Sequence, residues 1–93
     1  MKNIKVVVKD KTLKDLVIMD IELPEWAEFI TLEQGTLVAW DSEPQWKTGG
    51  YYADPYFFIE EVGEMPKTIY LAEPWKASRK ISTSRGVAVF YAE

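Results

Sequence analysis

Apolar side chains in this chain recur at every second position, in short runs that proline, glycine or polar clusters cut off. Such spacing puts one row of side chains on the buried face of a strand and the next row in water. Ile4, Val6 and Val8 alternate with Lys5, Val7 and Lys9. After the polar link Asp10–Asp15, a second row follows in Val17, Met19, Ile21 and Leu23. Together they predict an antiparallel hairpin over residues 1–23. Pro24 ends it, because proline brings no hydrogen-bond donor to a ladder.

A second hairpin is predicted over residues 24–44. Pro24 followed by Glu25 and Glu28 suits a single helical turn. Gln34-Gly35 then separates Phe29–Glu33 from Thr36–Trp40, and Pro44 closes the segment. Residues 45–55 show no period and read as a flexible aromatic and glycine loop, with Trp46, Gly49, Gly50, Tyr51 and Tyr52. Residues 56–93 predict strands at Tyr56–Val62, Thr68–Leu71 and Val87–Tyr91, with a short helix near 74–80 that Pro74 opens. The expectation is one small α+β domain, mostly antiparallel β, with about six short strands and one or two short helices. Trp26, Trp40 and Trp75 are expected in its core.

Two zeros in the composition narrow the chemistry: the chain has no histidine and no cysteine. Disulfides, thiolate nucleophiles, the usual zinc and iron–sulfur sites and Ser-His-Asp or Cys-His catalysis are thereby excluded. Carboxylate pairs remain as the acid–base candidates. Asp41 and Glu43 would share one side of a strand between Trp40 and Trp46, but a chain of 93 residues leaves little room for a walled cleft. Thr48-Gly49-Gly50 lacks the strand-to-helix setting of a phosphate loop. Ser78, Ser82, Thr83 and Ser84 have only lysines as basic neighbours. Asp54, Glu60 and Glu61 lack the spacing of a calcium loop. No catalytic residue, no metal and no cofactor is expected, and the chain reads as a non-enzyme.

The net charge of −4 conceals three blocks. Residues 1–14 carry +4, residues 15–64 carry −11 and residues 65–93 carry +3. Nine of the thirteen aromatic residues fall in the acidic middle, which ties the two features to one stretch. Acids on the wet side of an aromatic-rich sheet would produce that pattern without any partner. An acidic, aromatic face for a basic protein would produce it too, since such a field speeds encounter and tyrosine and tryptophan anchor interfaces. Asp41, Glu43, Trp46, Tyr51, Tyr52 and Asp54 are the expected contacts. Direct nucleic-acid binding is disfavoured, because the acidic block repels phosphate. Lysines interrupt the first apolar run, and no stretch reaches the ~20 apolar residues of a membrane span. No membrane association and a cytoplasmic location are therefore expected.

From Pro24 onward the chain resembles a segment of small uncharacterised proteins of tailed bacteriophages. The resemblance rests on Pro24-Glu25-Trp26-Ala27-Glu28-Phe29-Ile30, the turn at Gly35, the strand Leu37–Trp40, the stop at Glu43-Pro44, the later Trp46 and Trp75-Lys76-Ala77-Ser78. It follows a P-x-W-A-x-x-I/V pattern with a W-x-x-S stretch near the end, and covers residues 24–80. This chain has Glu33-Gln34 where the family usually has an acid in the turn before the glycine, and Arg79 where it usually has leucine after the serine. The resemblance implies a phage origin, a compact β-hairpin module and the host cytoplasm as location, and it brings no catalytic residues. It favours an inhibitor or modulator of a host protein, in host takeover or anti-defence, with a nucleic-acid enzyme among the targets. A sugar- or nucleotide-binding module built on Trp46–Tyr52 is one alternative. A phage structural or assembly protein, homo-oligomeric through an open sheet edge, is the other.

Overall fold

The computed structural model describes residues 2–54 and 57–93. Strand β1 (Lys2–Lys9) pairs antiparallel with β2 (Asp15–Leu23), with Val6 opposite Met19 and Val8 opposite Val17. At the turn, the Asp10 carboxylate accepts hydrogen bonds from the Thr12 hydroxyl at 2.7 Å and the Thr12 N–H at 2.8 Å. It also accepts one from the Lys14 N–H at 3.1 Å. The Thr12 hydroxyl, followed by the Lys14 N–H, holds the Asp10 carboxyl below its ordinary pKa. The last strand, β9 (Val87–Tyr91), lies parallel to β1 on its other side, which gives the order β2-β1-β9.

A second sheet joins β3 (Phe29–Glu33) and β4 (Thr36–Trp40) with β7 (Ile59–Glu64) and β8 (Ser78–Lys80), in the order β7-β4-β3-β8. Gln34 and Gly35 turn the β3–β4 hairpin at φ of 48° and 82°. A Cβ at Gly35 would stand 2.9 Å from the Met65 carbonyl oxygen, so both the conformation and the space require glycine. Between these strands, β5 (Gln45–Lys47) and β6 (Gly50–Tyr52) form a separate two-stranded ribbon. Two 3-10 turns, Pro74–Lys76 and Ile81–Thr83, complete the chain.

The two sheets close over one apolar core that includes Ile4, Val6, Leu23, Ile30, Leu37 and Phe90, all at most 2% exposed. At Gly63 the packing leaves no room for a side chain, since a Cβ there would stand 2.7 Å from Ile21 Cδ1 and 3.4 Å from Leu37 Cδ1. Inside the second sheet, the buried Thr31 hydroxyl accepts a hydrogen bond from Trp40 Nε1 at 2.9 Å, so both polar groups are satisfied. The radius of gyration is 12.4 Å. A single compact domain of this length has about that value.

Several expectations are corrected. Among the described residues there is no α-helix, so the domain is mostly β rather than α+β. The helix expected near 74–80 is one 3-10 turn followed by β8, because Ser78 and Arg79 pair with Thr31 and Ile30. Of the loop expected over 45–55, residues 45–52 form a hairpin instead, since Thr48 and Gly49 at φ of 52° and 80° make its two-residue turn. The strand expected at Thr68–Leu71 reduces to a single bridge between Leu71 and Ala92. Near Pro24 there is one hydrogen-bonded turn, with the Ala27 N–H donating to the Pro24 carbonyl at 3.0 Å. Trp40 is in the core and Trp26 packs half-buried against it, but Trp75 is 52% exposed. Trp75 belongs to the 3-10 turn, which contributes no buried residue. Tyr56, the expected start of a strand, and Pro55, the expected end of the loop, lie outside the described residues; β7 begins at Ile59.

Candidate functional site

Strand β7 reads Ile59-Glu60-Glu61-Val62-Gly63-Glu64, with acids on successive positions. Successive residues point to opposite faces of a sheet, so a central strand would have to bury one of the two adjacent carboxylates. Only an edge tolerates this sequence, and an edge is where β7 lies, paired with β4 alone among the described residues. Ala39 faces Glu60 and Val38 faces Glu61; then a bulge shifts the register so that Leu37 faces Gly63. A bulge and charges together blunt an edge against pairing with a copy of itself.

Ahead of this acidic edge stand three exposed apolar residues, Phe57, Phe58 and Ile59. Phe58 is 61% exposed although its ring centroid lies 5.6 Å from that of Trp26. The Phe58 carbonyl accepts a hydrogen bond from the Asp41 N–H at 3.2 Å, which ties the start of β7 to the end of β4. The result is an edge along which exposed Phe57, Phe58 and Ile59 are followed by exposed Glu60, Glu61 and Glu64, with Glu60 and Glu61 on opposite faces. It offers apolar area at one end and negative charge along the rest.

The six residues expected as contacts do not form one patch. Tyr51 is 8% exposed and belongs to the core. Its hydroxyl donates to the Pro74 carbonyl at 2.7 Å and accepts from the Ala77 N–H at 2.7 Å. Burial pushes the Tyr51 phenol above its ordinary pKa, and the Ala77 N–H partly offsets this. Trp46 is half-buried, edge-on to Tyr51 with centroids 5.0 Å apart, and borders an open groove of about 530 Å³. Asp41 lies in a bend and Glu43 in irregular chain rather than on a strand, so the strand face expected to hold both is absent. Asp41 is half-buried, and its Oδ1 has no hydrogen-bond partner among the described residues. Glu43, Tyr52 and Asp54 are exposed.

Arg79 is half-buried. Its Nε donates to the Val89 carbonyl at 3.0 Å, and its guanidinium lies 4.9 Å from the Phe90 ring centroid. The Lys76 and Ser78 carbonyls accept from Nη1. Burial lowers its pKa, so this cation serves the junction of the two sheets. The described residues hold no cluster of three acidic side chains that could ligate a metal, and none of their helices is long and apolar enough to cross a membrane.

Sequence reasoning missed Phe57, Phe58, Ile59, Glu60, Glu61 and Glu64 as exposed residues of one sheet edge. The signal was present in the adjacent glutamates of β7, which mark an edge. Comparison with protein-family models, curated proteins and solved structures gives no match for this chain.

Proposed function

We propose that this chain is a small, phage-encoded, non-enzymatic protein that binds a basic surface on a host protein and inhibits or redirects it. The observation that carries the reading is the β7 edge, where Phe57, Phe58 and Ile59 stand exposed beside Glu60, Glu61 and Glu64. Exposed aromatic area supplies the desolvation that anchors an interface, and the flanking carboxylates select a partner of opposite charge. Glu43, Tyr52 and Asp54 extend the same acidic, aromatic character, and the contacts first expected at Tyr51 pass to Phe57 and Phe58. The absence of histidine and cysteine supports a binding role over catalysis. The resemblance of residues 24–80 to small tailed-phage proteins supports the phage origin and the host cytoplasm as the place of action.

Affinity capture from bacterial lysate, with identification by mass spectrometry, tests the reading. The intact protein should recover a basic protein at low salt and lose most of it at about 0.5 M salt, where charges are screened beyond a few ångströms. A Phe58→Ala, Glu61→Lys variant should recover none. Equal recovery by the variant would remove β7 as the interface.

A further inference from the structure

The groove beside Trp46 lies between the β5–β6 turn and the segment Ile69–Leu71. That segment is held along the end of the chain by main-chain bonds. The Glu93 N–H donates to the Tyr70 carbonyl at 2.7 Å and the Ala72 N–H to the Tyr91 carbonyl at 3.0 Å. Ile69, Leu71 and Trp46 are partly buried against the core and give the groove an apolar floor. Tyr70 is 70% exposed on its border. An aromatic side chain that open, next to a half-buried tryptophan, is a ready surface for a cation or an aliphatic stem.

Charge then selects the occupant. Two carboxylates, Glu33 and Glu93, border the groove against one ammonium, Lys67. Glu33 is fixed in place: its Oε2 accepts the Tyr51 N–H at 3.3 Å. Its Oε1 lies against Gly50, 3.2 Å from where a Cβ there would stand. The remaining lone pairs of this positioned carboxylate can accept further donors. The same net charge opposes phosphate ligands. At about 530 Å³ the groove falls in the range of ligand sites and takes several side-chain-sized groups.

We propose that this groove binds an extended basic peptide segment, with an arginine stem against Trp46 and Tyr70, its guanidinium turned to Glu33, and an aliphatic neighbour on Ile69 and Leu71. The proposal concerns a different surface from β7 and stands whether or not β7 is an interface.

Fluorescence anisotropy with a labelled peptide of sequence GRLRG, its acidic counterpart GELEG and unlabelled maltotriose as competitor tests it on the full chain. GRLRG should bind with an affinity that falls as salt rises, and GELEG should not bind. Tyr70→Ala and Glu33→Gln should each weaken GRLRG at least about threefold, and Lys67→Ala should tighten it. Tyr70 is exposed and glutamine keeps an acceptor for Tyr51, so both variants should keep the thermal midpoint within a few degrees. The Glu60→Lys, Glu61→Lys variant should bind GRLRG as the parent does. The proposal is overturned if GRLRG fails to bind up to about 1 mM, if GELEG binds equally, or if both groove variants retain full affinity. Displacement of GRLRG by maltotriose would make the groove a saccharide site and overturn it as well.

Discussion

Tyr51 joins three parts of the chain through one hydroxyl, because β6 carries it, Pro74 accepts its proton and Ala77 donates to it. Phenylalanine at this position would remove both hydrogen bonds of the hydroxyl and leave the Ala77 N–H only its longer 3.3 Å bond to the Pro74 carbonyl, at a cost of about 0.5–1.5 kcal/mol. Urea denaturation of Tyr51→Phe should show that loss at neutral pH. The phenol also sets an alkaline limit. Its pKa in the fold lies above the ordinary 10.0, so the unfolded chain ionises first. The Tyr51 contribution is therefore whole below about pH 10 and declines as pH rises toward the folded value. Tyr51→Phe should flatten the alkaline decline of stability compared with the parent, while the other tyrosines give both proteins the same background.

Thr48 is a second telling residue. It is β-branched yet has φ of 52°, a region that costs such a residue about 1–2 kcal/mol. Thr48→Asn keeps the turn and relieves part of that cost, so the thermal midpoint should rise by a few degrees. An unchanged or lower midpoint would mean that Thr48 makes a compensating contact. In the sequence, Thr48-Gly49 read as a flexible loop because threonine is not a usual turn former at a positive φ. Trp75 misled for a related reason, since its size argued for the core while its place in a 3-10 turn left it exposed.

At the scale of elements, the hairpins β1–β2 and β3–β4 were legible because their apolar period and their turns are local. Strand β8 was not. Ser78-Arg79-Lys80 has no apolar period and is a strand only because Phe29, Ile30 and Thr31 pair with it from nearly fifty positions away. The parallel pairing of β9 with β1 is likewise set by long-range closure, not by any motif near Val87. The acidic edge was legible in principle from Glu60-Glu61, since charge on both faces of a strand requires an outer position. Gly63, inside that strand, packs directly under Ile21 of the other sheet. Gly63→Ala should destabilise the fold by about 1–3 kcal/mol through its clash with Ile21, measured by urea denaturation. Ile21→Val in the same chain should restore part of the loss, because it removes the atom that Cβ would meet.

For the whole molecule, the net charge of −4 divides into a −11 stretch between two basic ends. In the fold Lys2–Lys9 and Val87–Tyr91 are adjacent strands of one sheet, while Arg79 and Lys80 of the second basic block lie on β8 of the other. The acids of β7 occupy an outer edge of the other sheet. Charge at that edge also guards against self-pairing, so Glu60→Val, Glu61→Val should raise the mass seen by light scattering as concentration increases. Persistence of the parent's mass would show that the bulge alone protects the edge.

The most direct test of β7 as the binding surface is the dissociation constant of the purified basic partner, measured calorimetrically for the parent and for Glu60→Lys, Glu61→Lys. The account predicts a rise of at least about tenfold, equivalent to ~1.4 kcal/mol, with the thermal midpoint unchanged and the difference shrinking as salt increases. An unchanged dissociation constant in a folded variant would contradict it.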